Sequence, residues 1–543
     1  DAAAGAYLRC RSVSAAIGAG VIIGFKNLRG PLRAMSEELA GRVQDVLSVD
    51  PDDYRGGAEA DAEVVKDEIR SGTFDNHQSI VGLEYEFYAV TDGRWSEGGD
   101  GRYALARVPR RLLELIGFEK ELGLHNAEMT TSPQPLSNYG LGAQMDEVRA
   151  RLSAAQTRAR AEGMRLVSDA MWTIPPVGET AREYLRDHVA VDGISMAANM
   201  SDAVRYHAMA NGPAAPERFS LSAPNVELEA ATVLPESLIT SIQPHYQVKQ
   251  AVDLPNYFNY ALRIAGPLLA LAANSPLFPP DLYDDGVDPR DVLAEAWHEH
   301  RIAVFESVMN TDHEKVRFPN DLETVEEAVD RVAGDEVYVP MDVSAGDRFD
   351  DTFATLRHKH GTFWRWIRPV FDGATRSAAN ARIEFRPIGA QPTVPDSIAF
   401  QAAFAGLLES LTTREHPVAT LDWSVARANF YRAMRDGLDS EQRWITNDGE
   451  RTTDPSRVYE DLFDHARDGL VTAGCSEAEA EAYLRPLSER VAAETTPAAW
   501  KLHQVEARLD DGADLAEAVV GTQRAYIANQ EETLLEGSFV DWL

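Results

Sequence analysis

Charged or polar side chains alternate with apolar ones in four short stretches of this 543-residue chain. Successive side chains of a β-strand point to opposite faces of a sheet, so a two-residue period predicts a strand with one polar face and one apolar face. The polar members are Glu84 and Glu86, then Glu128, then Gln243, His245 and Gln247, and finally Arg382, Glu384 and Arg386. If the four strands belong to one sheet, these side chains line a single open face.

Such a face would bring several carboxylates, an imidazole and two guanidinium groups together. Crowded carboxylates repel one another unless cations separate them, and Mg²⁺ prefers oxygen ligands together with substrate phosphates. Arginine binds phosphate oxygens in a bidentate manner. The side-chain set therefore predicts a site for a metal-bound nucleotide. The alternatives are a solvated strand face at Glu84 and Glu86 and a surface ion pair at Arg382, Glu384 and Arg386.

The strands lie among helical segments without a regular β-α-β rhythm, which predicts a mixed α+β fold. Hydrophobic spacing predicts helices over residues 36–47, 60–69, 142–162, 257–273, 291–308, 425–435, 456–472, 477–493 and 515–532. We expect a polar loop at 51–57 and a further strand at 164–174. These elements divide the chain into a partly helical N-terminal extension over 1–75, a catalytic α+β domain over 76–416 and a helical C-terminal region over 417–543 packed on that domain.

The composition excludes several classes of protein. With 52 Lys and Arg against 87 Asp and Glu, the net charge of −35 excludes a nucleic-acid binder that relies on a basic surface. A hydrophobic fraction of 44% is typical of a globular chain with a sizeable core. Cys10 and Cys475 are the two cysteines, which excludes a disulfide framework and a cysteine-built zinc site. A reducing, cytoplasmic location fits these observations.

The acidic balance also predicts adaptation to high salt. Lysine occurs at only seven positions, whereas arginine is plentiful. At molar salt the Debye length falls to roughly 3 Å, so the repulsion within an acidic surface is screened. We therefore interpret the chain as halophilic. The alternative, that the acids mark a basic partner, is less consistent with their spread along the whole chain.

The sequence contains no apolar run long enough to cross a membrane. Residues 15–25 follow Arg9 and Arg11 and loosely resemble a secretory signal, but no small-residue cleavage site is clear, and an over-long translation start is one explanation. The glycines of this segment miss the dinucleotide fingerprint, and no Walker phosphate loop is present. A nucleotide site must therefore be built in another way.

Other reactive side chains have simpler explanations. The histidines in 297–300 and 358–360 lack the spacing of a zincin, and we expect surface or structural roles, with contact to substrate left open for His360. No serine lies in a nucleophile elbow, and Cys475 fits a small core residue. A metal-dependent amidohydrolase is a further alternative, which predicts amide cleavage without ATP.

At the level of motifs the sequence resembles the carboxylate–amine ligases of the glutamate–cysteine ligase type. The resemblance spans roughly residues 80–543, including the helical tail of the longer members. It rests on the order of the segments 81–87, 126–133, 242–248, 272–276, 364–369, 382–386, 392–393 and 495–500.

This resemblance implies an ATP-dependent ligase with a funnel-shaped, largely antiparallel sheet that holds two or three Mg²⁺ ions, with Mn²⁺ as an alternative. The implied metal ligands are Glu84, Glu86, Glu128, His245 and Glu384. The implied catalytic residues are Arg386, which would hold the transferring phosphate, and Arg382. The implied nucleotide contacts are Arg386, Glu86 and Gln243, and the implied substrate contacts are Arg301, Tyr246, Gln247 and Thr131.

The implied reaction joins the glutamate γ-carboxylate to cysteine through an acyl phosphate, with amino acids and ATP as the small-molecule partners. The sequence departs from the family where Lys359-His360-Gly361-Thr362 replaces His-Asn-Gly-Thr, which leaves the amine substrate open. A ligase for another amine and a non-catalytic relative that binds nucleotide or metal as an interaction protein are the alternatives. The sequence also leaves the oligomeric state open, a homo-oligomer included.

Overall fold

The computed structural model describes residues 31–92, 103–310, 313–343 and 346–543. The segment 15–25 lies outside these residues. Within the described ranges, no helix combines the length and the apolar character that a membrane span requires.

The described chain contains more α-helix than β-strand. The helices are α1 Pro31–Leu47, α2 Pro51–Arg70, α3 Arg110–Ile116, α4 Asn138–Ala161, α5 Ala181–Arg186, α6 Val204–Met209, α7 Leu254–Ala272, α8 Pro289–Glu295, α9 His300–Met309, α10 Val325–Ala333, α11 Ala354–His360, α12 Val394–Thr413, α13 Trp423–Asp436, α14 Pro455–Thr472, α15 Glu477–Ala492, α16 Pro497–Asp510 and α17 Leu515–Thr533. The strands are β1 Ile80–Thr91, β2 Asn126–Thr130, β3 Gln134–Pro135, β4 Met164–Val167, β5 His188–Val191, β6 Ile194–Ala197, β7 Phe219–Ala223, β8 Val226–Ala230, β9 Ile242–Gln247, β10 Ile367–Asp372, β11 Asn380–Phe385, β12 Trp444–Ile445 and β13 Arg451–Thr452.

A seven-stranded sheet forms the centre of the fold, and every pairing in it is antiparallel. Its main path runs β10-β11-β9-β1-β2, and β3 and β4 also pair with β1. The twelve residues of β1 reach from β9 to β2, so this strand connects the two halves of the sheet. The prediction of an α+β fold with an antiparallel sheet flanked by helices is confirmed.

The apolar face of the sheet packs against two long helices. Leu83 and Tyr85 of β1 are fully buried, as are Ile383 and Phe385 of β11. The ring of Phe385 stacks on Phe404 of α12 at a centroid distance of 4.6 Å. Both α7 and α12 are buried on nearly all sides, which explains their continuous apolar sequence. The core therefore holds one face of the sheet and leaves the other free.

The N-terminal helices differ from the sequence prediction at one point. Residues 51–57 were expected to form a polar loop, but α2 begins at Pro51. Asp50 caps this helix by accepting a hydrogen bond from the amide of Asp52, and proline is favoured in a first helical turn. These start signals outweigh the two glycines of the segment.

Two further predictions about single elements are wrong. The expected helix over 291–308 is broken into α8 and α9 by an extended connection, in which Ser275 bridges to Glu299. The expected strand over 164–174 ends after four residues, because the chain beyond Val167 leaves β1. Hydrophobic periodicity alone cannot detect either break.

The helical C-terminal residues pack closely on α12. Gly406 of α12 and Gly469 of α14 face each other so tightly that a methyl group on Gly469 would overlap the carbonyl oxygen of Gly406. Arg490 of α15 forms a fully buried ion pair with Asp396 at 2.8 Å, and Lys501 of α16 pairs with the buried Asp169. Buried charges connect the tail to the sheet domain. The division of the chain at residues 75 and 416 stays a prediction.

Candidate functional site

The register of the sheet places the polar side chains of neighbouring strands side by side. Glu86 of β1 lies opposite Glu128 of β2, and Glu384 of β11 lies opposite His245 of β9. Residues directly opposite one another on adjacent strands share a face. Glu84 shares the face of Glu86 because the two are separated by two positions on β1. We call the surface that carries these five side chains the polar face; the predicted single sheet is confirmed.

Glu84, His245 and Glu384 form a compact group on the polar face. One ligand atom from each residue lies within 4.8 Å of the other two. Nε2 of His245 is 3.3 Å from Oε1 of Glu84. Burial opposes ionisation of Glu84, but the adjacent imidazole outweighs burial and lowers the pKa of the carboxyl. Glu84 is thus held as an anion beside two further donor atoms.

Two arginines hold Glu384. The Nε and Nη2 of Arg368 contact its two oxygens at 2.9 Å each, and Arg386 donates a short hydrogen bond to Oε1. Although burial disfavours the charge, these two guanidinium groups lower the pKa of Glu384 well below its usual range. A buried carboxylate on β11 therefore lies between two fixed guanidinium groups, one on β10 and one on the residue that follows β11.

Gln243 connects Arg386 to Glu86. Its amide nitrogen donates to Oε1 of Glu86 at 3.1 Å, and its amide oxygen accepts from Nη1 of Arg386 at 2.6 Å. The backbone amide of Ser241 donates to the other oxygen of Glu86 at 2.6 Å. The buried Nε of Arg386 makes no hydrogen bond within the described residues. One N–H of this guanidinium is therefore available to a bound anion.

A second group of carboxylates surrounds Glu86. Burial, followed by the charge on Glu121, raises the pKa of Glu86 to about 7 and that of Glu236 to about 8. Burial and then the charge on Glu84 raise the pKa of Glu128 well above its usual range. Ionised carboxylates crowded in this way repel one another, and a bound cation relieves that repulsion.

The residues of the polar face fit divalent cations, with one condition at His245. The carboxylates are hard oxygen donors of the kind that Mg²⁺ prefers. Nδ1 of His245 accepts a hydrogen bond from Nε of Arg382 at 3.1 Å, so the neutral ring carries its proton on Nε2, which makes no hydrogen bond within the described residues. Coordination through Nε2 therefore requires the contact with Arg382 to open, so that the proton can lie on Nδ1.

Arg382 and Arg301 lie at opposite ends of this arrangement. Arg382 also forms an ion pair with Asp372 at 2.7 Å. Arg301, in the first turn of α9, donates to the carbonyl of Arg386 at 2.7 Å and lies above the ring of Trp366. Burial lowers its pKa, although the charges of Glu299 and Glu86 oppose that change. These charges show that Arg301 faces the acidic group around Glu86.

Tyr246 lies away from the polar face, which corrects the expectation that it contacts substrate. Its hydroxyl donates to Glu409 of α12 at 2.7 Å and pairs with Ser79, and its ring stacks on Tyr257. The reason is the alternation of the strand, because the neighbours of Tyr246 in β9 point to the polar face and Tyr246 must point to the core.

Thr131 and Gln247 lie at the ends of their strands, Thr131 directly after β2 and Gln247 as the last residue of β9. Thr131 is buried, and its hydroxyl oxygen accepts from the amide of Leu83 and from Gln144, both at 3.0 Å. These contacts give its side chain a structural role. Gln247 ends β9 opposite Arg382, and substrate binding there stays a prediction.

Four residues near the polar face carry no role in the sequence analysis: Arg368, Glu121, Glu236 and Arg205. Arg368 lies opposite Glu384 in the register of β10 and β11. The sequence could have indicated Arg368 only after the pairing of these two strands was known. Arg205 of α6 and Glu121 both contact the hydroxyl of Tyr206. Glu121 comes from a loop and Arg205 from a short helix, and neither segment has a hydrophobic period in the sequence that would predict its position.

An antiparallel sheet flanked by helices, with acids and arginines on its free face, defines an α+β protein equipped to hold cations and phosphates. Residues 80–521 match the model of Glutamate-cysteine ligase family 2 (GCS2), and the chain belongs to this family. The family consists of ATP-dependent carboxylate–amine ligases that use divalent metals. No curated protein matches the chain.

Solved structures of other proteins are similar to the chain. Glutamate–cysteine ligase from Francisella tularensis, in complex with AMP, has 12% sequence identity and a TM-score of 0.46, over 85% of this chain and 91% of that chain. A bifunctional glutathione synthetase from Pasteurella multocida has 14% identity and a TM-score of 0.47, over 87% of this chain and 55% of that chain.

Proposed function

We propose that this protein forms γ-glutamylcysteine, joining the γ-carboxylate of glutamate to the amino group of cysteine at the expense of ATP. The observation that supports the proposal is the grouping of Glu84, His245 and Glu384 beside Arg386 on one face of the sheet. Anionic ligands for cations and free guanidinium N–H groups for phosphate are both needed to bring a nucleotide and a carboxylate together.

The chemistry starts from the fact that a carboxylate is a poor electrophile. An oxygen of the glutamate γ-carboxylate attacks the γ-phosphorus of ATP, the bond to the ADP oxygen breaks, and an acyl phosphate forms. The amine nitrogen then attacks the acyl carbon, the carbon–oxygen bond to phosphate breaks, and the amine loses a proton. Such a reaction depends on alignment and charge neutralisation more than on covalent catalysis.

Each basic residue has a role that follows from its position. Arg386 would bind the transferring phosphoryl group through its unpaired Nε, with Glu384 and Gln243 fixing the guanidinium plane. Arg301, held against Trp366, would bind the α-carboxylate of glutamate. Arg382 would hold His245 in one orientation until a cation binds. Gln247 would contact substrate at the end of β9.

Divalent cations, when bound, would neutralise phosphate charge. Glu84 and Glu384 would hold one of them with His245, and Glu86 and Glu128 would hold another. The fit rests on the donor atoms described above and on the crowding of Glu86 and Glu128 with other carboxylates, which together with burial raises the pKa of both.

The test is a product assay with the purified full chain in concentrated KCl. With Mg²⁺, ATP and glutamate, we expect phosphate release only when an amine is added, and mass spectrometry should identify the γ-linked dipeptide. A panel of thiol and non-thiol amines then distinguishes cysteine from other amines. Preference for a non-thiol amine would overturn the choice of cysteine and keep the ligase.

Hydroxylamine provides a separate test of the activation step. It traps an acyl phosphate as a hydroxamate, so we expect γ-glutamyl hydroxamate from glutamate and ATP without any amino-acid amine. A folded protein that gives neither hydroxamate nor phosphate would contradict catalysis and favour a non-catalytic relative that binds nucleotide. Amide cleavage in the absence of ATP would favour an amidohydrolase instead.

A further inference from the structure

An arginine-rich groove lies outside the polar face. It has a volume of about 520 Å³ and is formed by one side of α13 against the start and middle of α9. We call it the arginine groove, and its charged and aromatic lining consists of Trp297, Glu306, Arg427, Tyr431, Arg432 and Arg435. Ala303, Ala428 and Met434 supply an apolar floor.

The three arginines of the groove have no carboxylate partner within the described residues. None of them is within ion-pair distance of Asp or Glu there, although the chain carries 87 acidic residues. Arg443 and Arg457, elsewhere in the same C-terminal region, do have such partners, because they pair with Glu441 and Glu450. The three guanidinium groups of the groove are therefore available to an anion from solution.

Aromatic rings orient two of these guanidinium groups. Arg427 lies over the ring of Tyr431 at 4.7 Å, and Arg435 lies over the ring of Trp297 at 5.8 Å. Cation–π contacts of this kind fix the position of a guanidinium and leave its N–H groups free at the edge. Nη1 of Arg432 is buried and makes no hydrogen bond within the described residues. The groove therefore presents several donors without acceptors.

The lining contains one acid, Glu306, which interacts with the charge of Arg427 but can balance only one of the three arginines. Oε1 of Glu306 accepts hydrogen bonds from the indole of Trp366 and from the hydroxyl of Tyr431, both at 2.7 Å. Its carboxylate is thus held by two aromatic side chains, of which Tyr431 lines the groove and Trp366 does not. The lining keeps a net positive charge, and its donors suit an anion with several oxygens.

The groove is separate from the proposed catalytic site. Successive residues of an α-helix are rotated by 100°, so Ala303 and Glu306 point well away from Arg301 on α9. Arg301 contacts the polar face, whereas the other two residues line the groove. A ligand in the groove would therefore not compete for the groups that bind ATP.

From this arrangement we infer that the arginine groove binds a small oxyanion with two negative charges. Phosphate and a short dicarboxylate share the required chemistry, which is two or more anionic oxygens that accept from neighbouring guanidinium groups. Trp297 and Tyr431 position the donors, and the apolar floor limits the size of the ligand.

The test measures binding of inorganic phosphate by isothermal titration calorimetry, with Mg²⁺ and a non-hydrolysable ATP analogue present to fill the catalytic site. We use the lowest KCl concentration at which the full chain stays folded, because chloride competes for the same donors. A parallel titration uses malonate as the short dicarboxylate. The wild-type protein is expected to bind at least one of the two anions. The double variant Arg427→Gln, Arg432→Gln is expected to bind at least tenfold more weakly.

A matched double variant controls for the loss of charge. Arg443→Gln, Arg457→Gln removes two arginines from the same region but leaves the groove unchanged, so its affinity should equal that of the wild type. Circular dichroism and thermal unfolding of all variants show whether each is folded. Binding of phosphate alone or of malonate alone identifies which oxyanion the groove prefers.

Three outcomes would overturn the inference. These are no binding of either anion by the folded wild type, equal binding by the groove variant, and phosphate binding that is seen without the ATP analogue but is lost when the analogue is present. None of them depends on ligase turnover, so a failure of the proposed function would be seen separately in the product assay.

Discussion

Glu384 is the point at which most charged contacts of the polar face converge. It lies opposite His245, accepts from Arg368 and Arg386, and is nearly inaccessible to solvent. Charge-assisted hydrogen bonds of this kind are short and directional. The residue therefore fixes two guanidinium groups at once, and its charge decides how they are oriented.

Replacing Glu384 with Gln removes that charge while it keeps the shape of the side chain. We expect kcat to fall by about 10²- to 10³-fold, because an electrostatic contact in the proposed catalytic site is lost. The chain should stay folded in high salt, as thermal unfolding can show. Full activity in a folded Glu384→Gln variant would contradict the assignment.

Asp335 provides a matched control for this change. Like Glu384 it is a buried carboxylate between two cations, Lys315 and Arg365, but it lies away from the polar face. Asp335→Asn should lower the free energy of unfolding by about 2 kcal/mol and leave kcat close to that of the wild type. Equal losses of activity in both variants would mean that Glu384 acts through stability.

The variant Glu128→Gln tests the group of carboxylates that surrounds Glu86. We expect Glu128→Gln to weaken Mn²⁺ binding by at least tenfold, since one anionic oxygen ligand is removed from beside Glu86. Electron paramagnetic resonance of free Mn²⁺ measures this affinity directly. Glu506→Gln, a change at an exposed acid on α16, is the control and should bind Mn²⁺ as the wild type does. Unchanged binding by Glu128→Gln would remove this residue from the ligand set.

At the scale of the elements, the long strands and the buried helices follow from periodicity. Residues 80–87 of β1 alternate strictly, and α7 is apolar on nearly all sides, so both elements were predicted close to their observed positions. The break between α8 and α9 was not predicted, because it depends on the contacts that Glu299 makes with Asn274 and Ser275. Those contacts join residues about 25 positions apart, which a local pattern does not contain.

The crossing of α12 and α14 depends on two glycines. A methyl group at Gly469 would overlap the backbone of Gly406, so Gly469→Ala must push the helices apart. We expect a loss of about 3 kcal/mol in the free energy of unfolding, measured by urea denaturation in high salt. The control is Gly56→Ala in α2, where no atom lies near the new methyl group.

The free energy of unfolding should change in opposite directions in the two glycine variants. Gly56→Ala is expected to stabilise the chain by up to about 1 kcal/mol, because alanine has the higher helix propensity. If Gly469→Ala did not lower the free energy of unfolding, the close approach of α12 and α14 would be contradicted.

At the scale of the whole molecule, the net charge of −35 dominates the response to salt. We expect the thermal midpoint to rise steeply as KCl increases from about 0.1 M to about 1 M, where the Debye length shortens from roughly 10 Å to roughly 3 Å. Differential scanning calorimetry across this range measures the change. A midpoint that does not respond to KCl would contradict the interpretation of the chain as halophilic.

The sequence by itself determined the strands of the polar face and the acids and arginines on them, because alternation is a local property of the chain. It also determined the family, through the order of its motifs. Only the tertiary structure decided that Arg368 holds Glu384, that Glu121 and Glu236 join the acidic group, and that the arginine groove exists. These juxtapositions join residues far apart in the chain, and their positions depend on how the helices and loops pack around the sheet.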